Sequence, residues 1–487
     1  MYKKDRHHQF GLSDFNQPIG LKMNPDNRWI KKADLIPWIE IEDKYADLFP
    51  SHTGMPAKPL RMALGSLIIQ KQYGYSDREL VEQIIENPYY QYFIGLHGYQ
   101  QKAPYAPSLL VEFRKRLTDD ILGEINEMII QYNHPDDPGP GEGGHEPAKG
   151  TNEDTNEGTL ILDATCAPQN IAFPQDVNLL NEARENLERI IDQICWEYNE
   201  QKPRTYRRNA RKDYLALAKQ RRRSSKAIRK AIKKQLQYVR RDLGYVDALL
   251  SEGKEVSQKD SERLSVIRKV FEQQQYMHEN NVHSVPERIV SISQPYIRPI
   301  VRGKAKAPTE FGMKLDLSVD ENGMARLEKQ SFEAYNEGDV LIEAVNRYKE
   351  RIGHYPTRIL VDKIYRNRKN LSFCKEKHIR LSGPALGRPR KDDGDRKQTK
   401  TTYRDGVDRI EVERNFSLAK RCYGLGLIRT KLADTTKSSI ALSIIAMNVD
   451  RLAAFYLIEY LISIFQGALS DIYWYPRFKI GSEPMMP

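Results

Sequence analysis

Cysteine is scarce: the 487 residues contain four (Cys166, Cys195, Cys374 and Cys422), scattered and without a CxxC pair. That excludes a disulfide framework and a thiolate zinc site, and it fits a reducing cytosol. Histidines number ten and stand apart except for His7-His8, so no imidazole metal site is indicated; His283 reads as structural. No Gly-rich Walker loop occurs, which argues against nucleotide hydrolysis. The N-terminus, MYKKDRHHQF, lacks the apolar run of a signal peptide. Long uninterrupted apolar runs are also missing. The most apolar stretch, 440–469, contains Asn448, Asp450, Arg451 and Glu459, the mark of a buried helix and not of a membrane span. These absences exclude a secreted, membrane or fibrous protein.

The composition that remains is that of a globular protein, 39% apolar and 29% charged. Lysine and arginine (77) outnumber aspartate and glutamate (66), giving a formal charge of +11 that favours a polyanionic partner. Residues 1–133 are expected to be all-α. Ser76-Asp77-Arg78-Glu79 is a capping box, in which the Ser hydroxyl and the Glu carboxylate satisfy each other's free backbone N–H groups. A second helix over 109–117 ends in Arg114, Lys115 and Arg116. Short helices with a basic terminal helix suit a DNA reader, or else a small bundle with a solvated face. Residues 134–158 are rich in Gly, Pro and acids, too poor in apolar residues to fold, and read as a flexible linker.

Residues 159–175 and 286–470 read as one α/β domain. Thr159–Cys166 is an apolar strand carrying Asp163. Met313, Leu315, Leu317 and Val319 alternate at the strand period, and Asn322-Gly323 then predicts a hairpin into residues 325–332. A helix over 339–350, a strand over 358–362 ending in Asp362, a polar helix, a short strand at 379–382 and a helix over 407–423 complete the pattern. The fold class is α/β, a mixed sheet preceded by an all-α domain. Inserted after the first strand, residues 176–285 read as a basic helical arm. Its centre, 204–241, holds sixteen Lys/Arg against one acid, Asp213. Such a helix repels itself unless phosphates or acidic protein neutralise it, so it reads as a DNA-facing arm or an inter-subunit coiled coil. Residues 471–487 form a tail.

Three carboxylates stand out. Asp163 and Asp362 are expected at strand ends, which in α/β sheets face the ligand crevice. Arg409, Glu413 and Lys420 are separated by steps of four and seven residues and share one helical face, with an acid between two cations. That face suits a place where a metal ion and DNA phosphate meet, Glu413 holding the ion and Arg409 and Lys420 the phosphates. Glu411 lies off this face. Further basic stretches are PIVRGKAK at 299–306, read as a turn, and the loop 387–404.

The segments LILDATCAPQNI around Asp163, ILVDKIYRNRKN around Asp362 and RIEVERNFSLAKRCYGL around Glu413 resemble the motifs of bacterial insertion-sequence DDE transposases, in the insertion sequence four/five superfamily. The last is similar to that family's Y-R-E-K signature. Arg409, Glu413 and Lys420 keep its spacing, whereas its Tyr position is Gly406 here, with Tyr403 nearby. Ile364 stands before Tyr365 where the family usually has Gly. SFEAYNEGDVL and SDRELVEQIIENPYYQYFIGL also look like this branch.

The resemblance implies an RNase H-like catalytic domain in which Asp163, Asp362 and Glu413 bind two Mg²⁺ ions, with Mn²⁺ able to substitute. It implies metal-dependent cleavage at transposon ends and strand transfer into target DNA, by a homodimer in a synaptic complex, located in the cytoplasm with the nucleoid. The residues expected to contact DNA are Arg409, Arg414 and Lys420; Arg114, Lys115 and Arg116; Arg207, Arg208, Arg211, Arg221, Arg222, Arg223, Lys230 and Lys234 of the arm; and Arg388, Arg390 and Lys391 of the loop. Two other readings stay open: a DNA-binding regulator or inactive derivative without catalysis, and a simple RNase H-like nuclease.

Overall fold

The computed structural model describes residues 11–47, 56–134, 156–301, 309–384 and 396–473, with Tyr2, Lys4 and Phe49 beside them; for 396–399 and 459–473 it describes backbone alone. Arg388, Arg390 and Lys391, most of the 134–158 segment, and the end of the C-terminal tail lie outside the described residues.

The N-terminal part forms α1 (Arg28–Asp34), α2 (Trp38–Ala46), α3 (Leu60–Tyr73), α4 (Asp77–Glu86), α5 (Pro88–Phe93), α6 (Leu109–Arg116) and α7 (Asp119–Asn133). The capping box forms: Glu79 N–H donates to Ser76 Oγ (3.3 Å) and Ser76 N–H to Glu79 Oε2 (3.2 Å). These helices do not keep a core to themselves. Trp29, Leu64, Ile84 and Ile129 belong to one apolar cluster with Leu315 and Leu317 of the sheet and Ile440, Ile444 and Val449 of the last helix. The segment 134–158 separates the regions in sequence, yet they fold as packed neighbours.

The sheet contains β1 (Thr159–Pro168), β2 (Arg298–Val301), β3 (Thr309–Val319), β4 (Ala325–Ser331), β5 (Arg358–Leu360) and β6 (Arg380–Leu381). β3 pairs antiparallel with β1 on one edge and with both β2 and β4 on the other, while β5 and β6 follow β1 in parallel. The order is thus β4, β3, β1, β5, β6, with β2 extending the β4 edge. The Asn322-Gly323 turn joins β3 to β4, Gly323 adopting φ +78°. Three expectations are corrected. Asp163 lies in mid-strand, because β1 continues to Pro168 along β3. Residues 298–301 are a strand and not a basic turn. Residues 396–404 are helical and not loop, being the first turns of α14 (Arg396–Cys422).

Both faces of the sheet are covered, so its strands are apolar on both sides. Ile161, Ala167, Leu315, Leu317 and Leu360 meet α14 and α15 (Ala433–Tyr473); Leu160, Leu162, Ile359 and Val361 meet α12 (Leu341–Ile352). A short helix, α13 (Arg368–Glu376), leads into β6. Among the described residues one helical stretch, Ala433–Ile458, is long and apolar enough to cross a membrane. Here its apolar side is core, from Ile440 to Leu452. Its polar residues are spent on neighbours. Asn448 donates to Ala325 O (2.8 Å) and Asn126 Oδ1 (2.9 Å) and accepts from Ala325 N–H (3.0 Å), binding α7, β4 and α15 together. Asp450 pairs with buried Lys32 of α1 and accepts from Tyr423 Oη (2.7 Å).

The expected arm is a four-helix bundle with its own core. Its members are α8 (Asp176–Glu197), α9 (Arg207–Ala218), α10 (Ser225–Ser251) and α11 (Gln258–Asn280). Leu187, Ile191, Val239, Val246 and Ile267 fill its centre, so the apolar stripe of α10 is covered within the chain. Buried Asp242 of α10 has no hydrogen-bond partner for either carboxylate oxygen among the described residues. Burial, reinforced by nearby Glu188, pushes its carboxyl up to about 7. A carboxyl raised in the folded state binds protons that the unfolded chain has released. Its unfavourable contribution is therefore absent below about pH 4 and complete above about pH 7. Asp242→Asn is expected to raise the unfolding free energy at pH 8 by a few kcal/mol, since each tenfold change in proton affinity is worth about 1.4 kcal/mol, and to change nothing at pH 4. Urea melts at the two pH values check this; an equal effect at both would contradict it.

Candidate active site

The parallel ladder between β1 and β5 aligns Thr159 with Arg358, Leu160 with Ile359 and Ile161 with Leu360. The same offset, carried two residues further, sets Asp163 opposite Asp362. Alternation puts both on the face that Ile161 and Leu360 present to α14, since Asp362 is still extended (φ −79°, ψ 168°). Two carboxylates 199 positions apart in sequence (163 against 362) thus become neighbours. Asp163 is largely buried and accepts from Ala164 N–H (2.8 Å); Asp362 is exposed and accepts from Lys363 N–H (2.7 Å). Burial holds the Asp163 carboxyl above its ordinary range, against the pull of Ala164 N–H and Arg409, while Glu337 and Asp362 add to the rise.

α14 lies across this pair. Arg409 places one guanidinium nitrogen 3.5 Å from Asp163 Oδ2 and another 3.3 Å from Glu413 Oε1. Lys420 Nζ donates to Thr165 Oγ1 (2.8 Å), two residues along the same face of β1. The helical face of Arg409, Glu413 and Lys420 is therefore turned onto the strand that carries Asp163. Glu411 points away and pairs with Arg451 and, at 3.3 Å, with Arg414. The three acids do not converge on a single point: Glu413 is exposed and meets Asp163 only through Arg409. Among the described residues no group of three His, Cys, Asp or Glu side chains is close enough to hold a metal. The guanidinium supplies the positive charge that the clustered carboxylates demand. Hard carboxylate oxygens on adjacent strands are the donor type that divalent cations take.

The opposite face of β3 carries polar residues that are buried or half-buried. Asp316, fully buried, accepts from Tyr365 Oη (2.7 Å) and from Tyr335 Oη. Burial pushes its carboxyl up to about 6, with the two phenols opposing. Tyr365 closes the short 3₁₀ turn that Asp362 caps, so Asp316 anchors the turn carrying the second acid. Lys314 pairs with Glu337 (2.8 Å) beside it. The sequence feature that marks this face is the polar run Lys314, Asp316, Ser318 between the apolar positions of β3.

The remaining cations fall into two groups. Arg114 is committed to Asp77 and Gln70 (2.9 Å), and Arg116 lies over the Phe49 ring (5.1 Å), so both hold the helices together; Lys115 is exposed beside Glu112 (3.2 Å). In the bundle, Arg207 grips Asp192 through two bonds of 2.9 Å and Lys234 pairs with Asp213 (2.7 Å). Arg223 locks its loop to Gln175 (2.7 Å) and Ala218 O (3.0 Å). Arg208, Arg211, Arg221, Arg222 and Lys230 are exposed and make no ion pair among the described residues. The Gln175 contact also places the loop between α9 and α10 at the root of the bundle, where α8 leaves the sheet.

Residues 19–116 match the family model described as "Transposase domain (DUF772)", and residues 359–450 match "Transposase DDE domain". Both regions are similar to transposase domains. The first transposase region spans α1 to α6; the DDE region starts in β5 and includes Asp362, Arg409, Glu413 and Lys420, while Asp163 precedes it. The chain is also 26% identical over 175 residues to "Uncharacterized protein ORF8 in nfe locus" of Rhizobium meliloti, which covers 36% of this chain and 78% of that protein. No solved structure matches. The two matches support a DNA transposase and imply DNA binding.

Proposed function

We propose that the chain is an insertion-sequence DDE transposase of the Y-R-E-K type, with an RNase H-like catalytic domain. It cleaves DNA at transposon ends and joins them to target DNA. The observation that carries this reading is the register that makes Asp163 and Asp362 neighbours facing α14. The strand order, four antiparallel strands (β2 and β4 sharing one edge of β3) beside two parallel ones, agrees with the domain type.

Asp163, Asp362 and Glu413 are the residues that would hold Mg²⁺. The ion supplies, when bound, activation of water and stabilisation of the leaving oxygen. Arg409, which bridges Asp163 and Glu413, would also be placed to hold a DNA phosphate beside these acids. Lys420, held at Thr165, keeps a second positive charge beside the scissile strand. No Ser, Tyr or Cys nucleophile is needed: the attacking groups are water and then the freed DNA 3′-OH. Two copies of the chain hold the two ends. Incubation with supercoiled DNA carrying the element ends and Mg²⁺ tests the reading through nicked and then joined product. Binding without any cutting would identify a regulator, and cutting without joining a nuclease.

The root of the bundle contributes DNA contacts through Arg221 and Arg222. Arg221→Gln with Arg222→Gln is expected to weaken duplex binding and to lower the slope of log affinity against log salt by about two, one for each lost phosphate contact. An unchanged slope in a fluorescence anisotropy titration would assign these arginines to another role.

A further inference from the structure

A second cationic feature lies between the two transposase regions, outside the acid pair. A cleft of about 650 Å³ opens between α3, α4 and α6 on one side and the turn after α14, with the start of α15, on the other. Four cations line it, Lys71, Arg114, Lys420 and Arg429, against one acid, Asp77. Lys71 donates to Ser439 Oγ of α15, whereas Arg429 is exposed and makes no hydrogen bond or ion pair among the described residues. Lys420 belongs to both places: it lines the cleft, and its amine reaches Thr165 on the strand of Asp163. Lys420 thereby links the cleft to the strand of the catalytic face.

We infer that this cleft is a binding site for the DNA strand next to the scissile phosphate, with Lys71, Lys420 and Arg429 holding successive phosphodiesters. The inference rests on the proposed function and adds the path of its substrate. The excess positive charge carries it. Asp77 satisfies Arg114, which leaves Lys71 in a sheltered position with a second cation beside it and only a hydroxyl as partner. Burial and the neighbouring Arg114 hold the Lys71 amine down to about 7, the state of a cation short of an anion. Oxygen-rich phosphodiesters supply that anion, and a polymer supplies several in sequence.

The test uses the full chain and a labelled DNA duplex in EDTA, so that binding is read without catalysis. Lys71→Gln with Arg429→Gln is expected to weaken binding about tenfold or more and to lower the salt slope by about two. Lys71→Arg retains wild-type binding. Lys44→Gln, a charge lost from the far side of α2 where Lys44 pairs with Glu124, leaves the slope unchanged. If the Lys71 variant does not fold, Arg429→Glu alone decides, being on the surface. Wild-type affinity and slope in the Arg429 variants overturn the inference, as does tighter binding of an RNA duplex than of DNA. Those outcomes leave the proposed function intact if the wild-type protein still cuts DNA. A wild-type chain that neither binds nor cuts defeats both.

Discussion

Asp163→Asn is expected to abolish metal-dependent strand cleavage while leaving the protein folded. The exchange keeps the side chain's shape and removes the charge. That charge sits on a largely buried strand, where burial already opposes its ionisation. Neutral Asn costs the fold little, and it ends the close approach of two carboxylates at the β1–β5 edge. For catalysis the change is severe: a metal held by one strand acid in place of two loses several kcal/mol of transition-state stabilisation, about 10³-fold or more in rate. A nicking assay with Mg²⁺, alongside a thermal melt, separates the two effects. Cleavage at the wild-type rate would remove Asp163 from the site, and loss of the fold would make its role structural.

Arg326→Ala is expected to unfold the junction between the N-terminal helices and the sheet. From β4, Arg326 grips Glu127 of α7 through bonds of 2.8 and 3.1 Å and Asp320 through one of 2.6 Å. The group is buried, and its two carboxylate partners hold the guanidinium charged, against desolvation. Truncation leaves Asp320 without its cation and Glu127 with only Arg351 at 4.0 Å, in a sheltered place, a loss of about 3–5 kcal/mol. The shared core would be weakened where Asn448 also ties α7 to β4. Urea denaturation followed by tryptophan fluorescence measures it. Adding Glu127→Gln to the variant removes one orphaned charge and is expected to recover part of the loss. A denaturation midpoint equal to the wild type's would show that the ion triad does not hold the junction.

Much of the fold was legible. Apolar alternation located β3, the Asn-Gly pair located its hairpin, and charge and periodicity located the helices of the insertion. The candidate site was legible in its residue types, because Asp163, Asp362 and the Arg409–Glu413–Lys420 face are each local patterns. Their joint geometry was not. Asp163 was expected at a strand end since the apolar run stops there; β1 continues because β3 offers partners as far as Pro168. Arg114, Arg116, Arg207 and Lys234 were read as DNA contacts from charge alone. Each has a partner within the chain, invisible in sequence because those partners are 15 or more residues away. Lys71 and Arg429 gave no signal, since neither belongs to a charge run.

By itself the sequence determined whatever depends on near neighbours: the capping box at Ser76, the turn at Gly323, the strand and helix periods, and the scarcity of cysteine that leaves oxygen and nitrogen groups to do the chemistry. Hydrogen bonds and sterics over a few residues decide those. Only the tertiary structure decided which acids meet, that an arginine stands between two of them, and that the N-terminal helices share a core with the sheet. Such outcomes rest on the register of strands that are distant in sequence and on burial from both faces, energies that exist only once the chain has met itself.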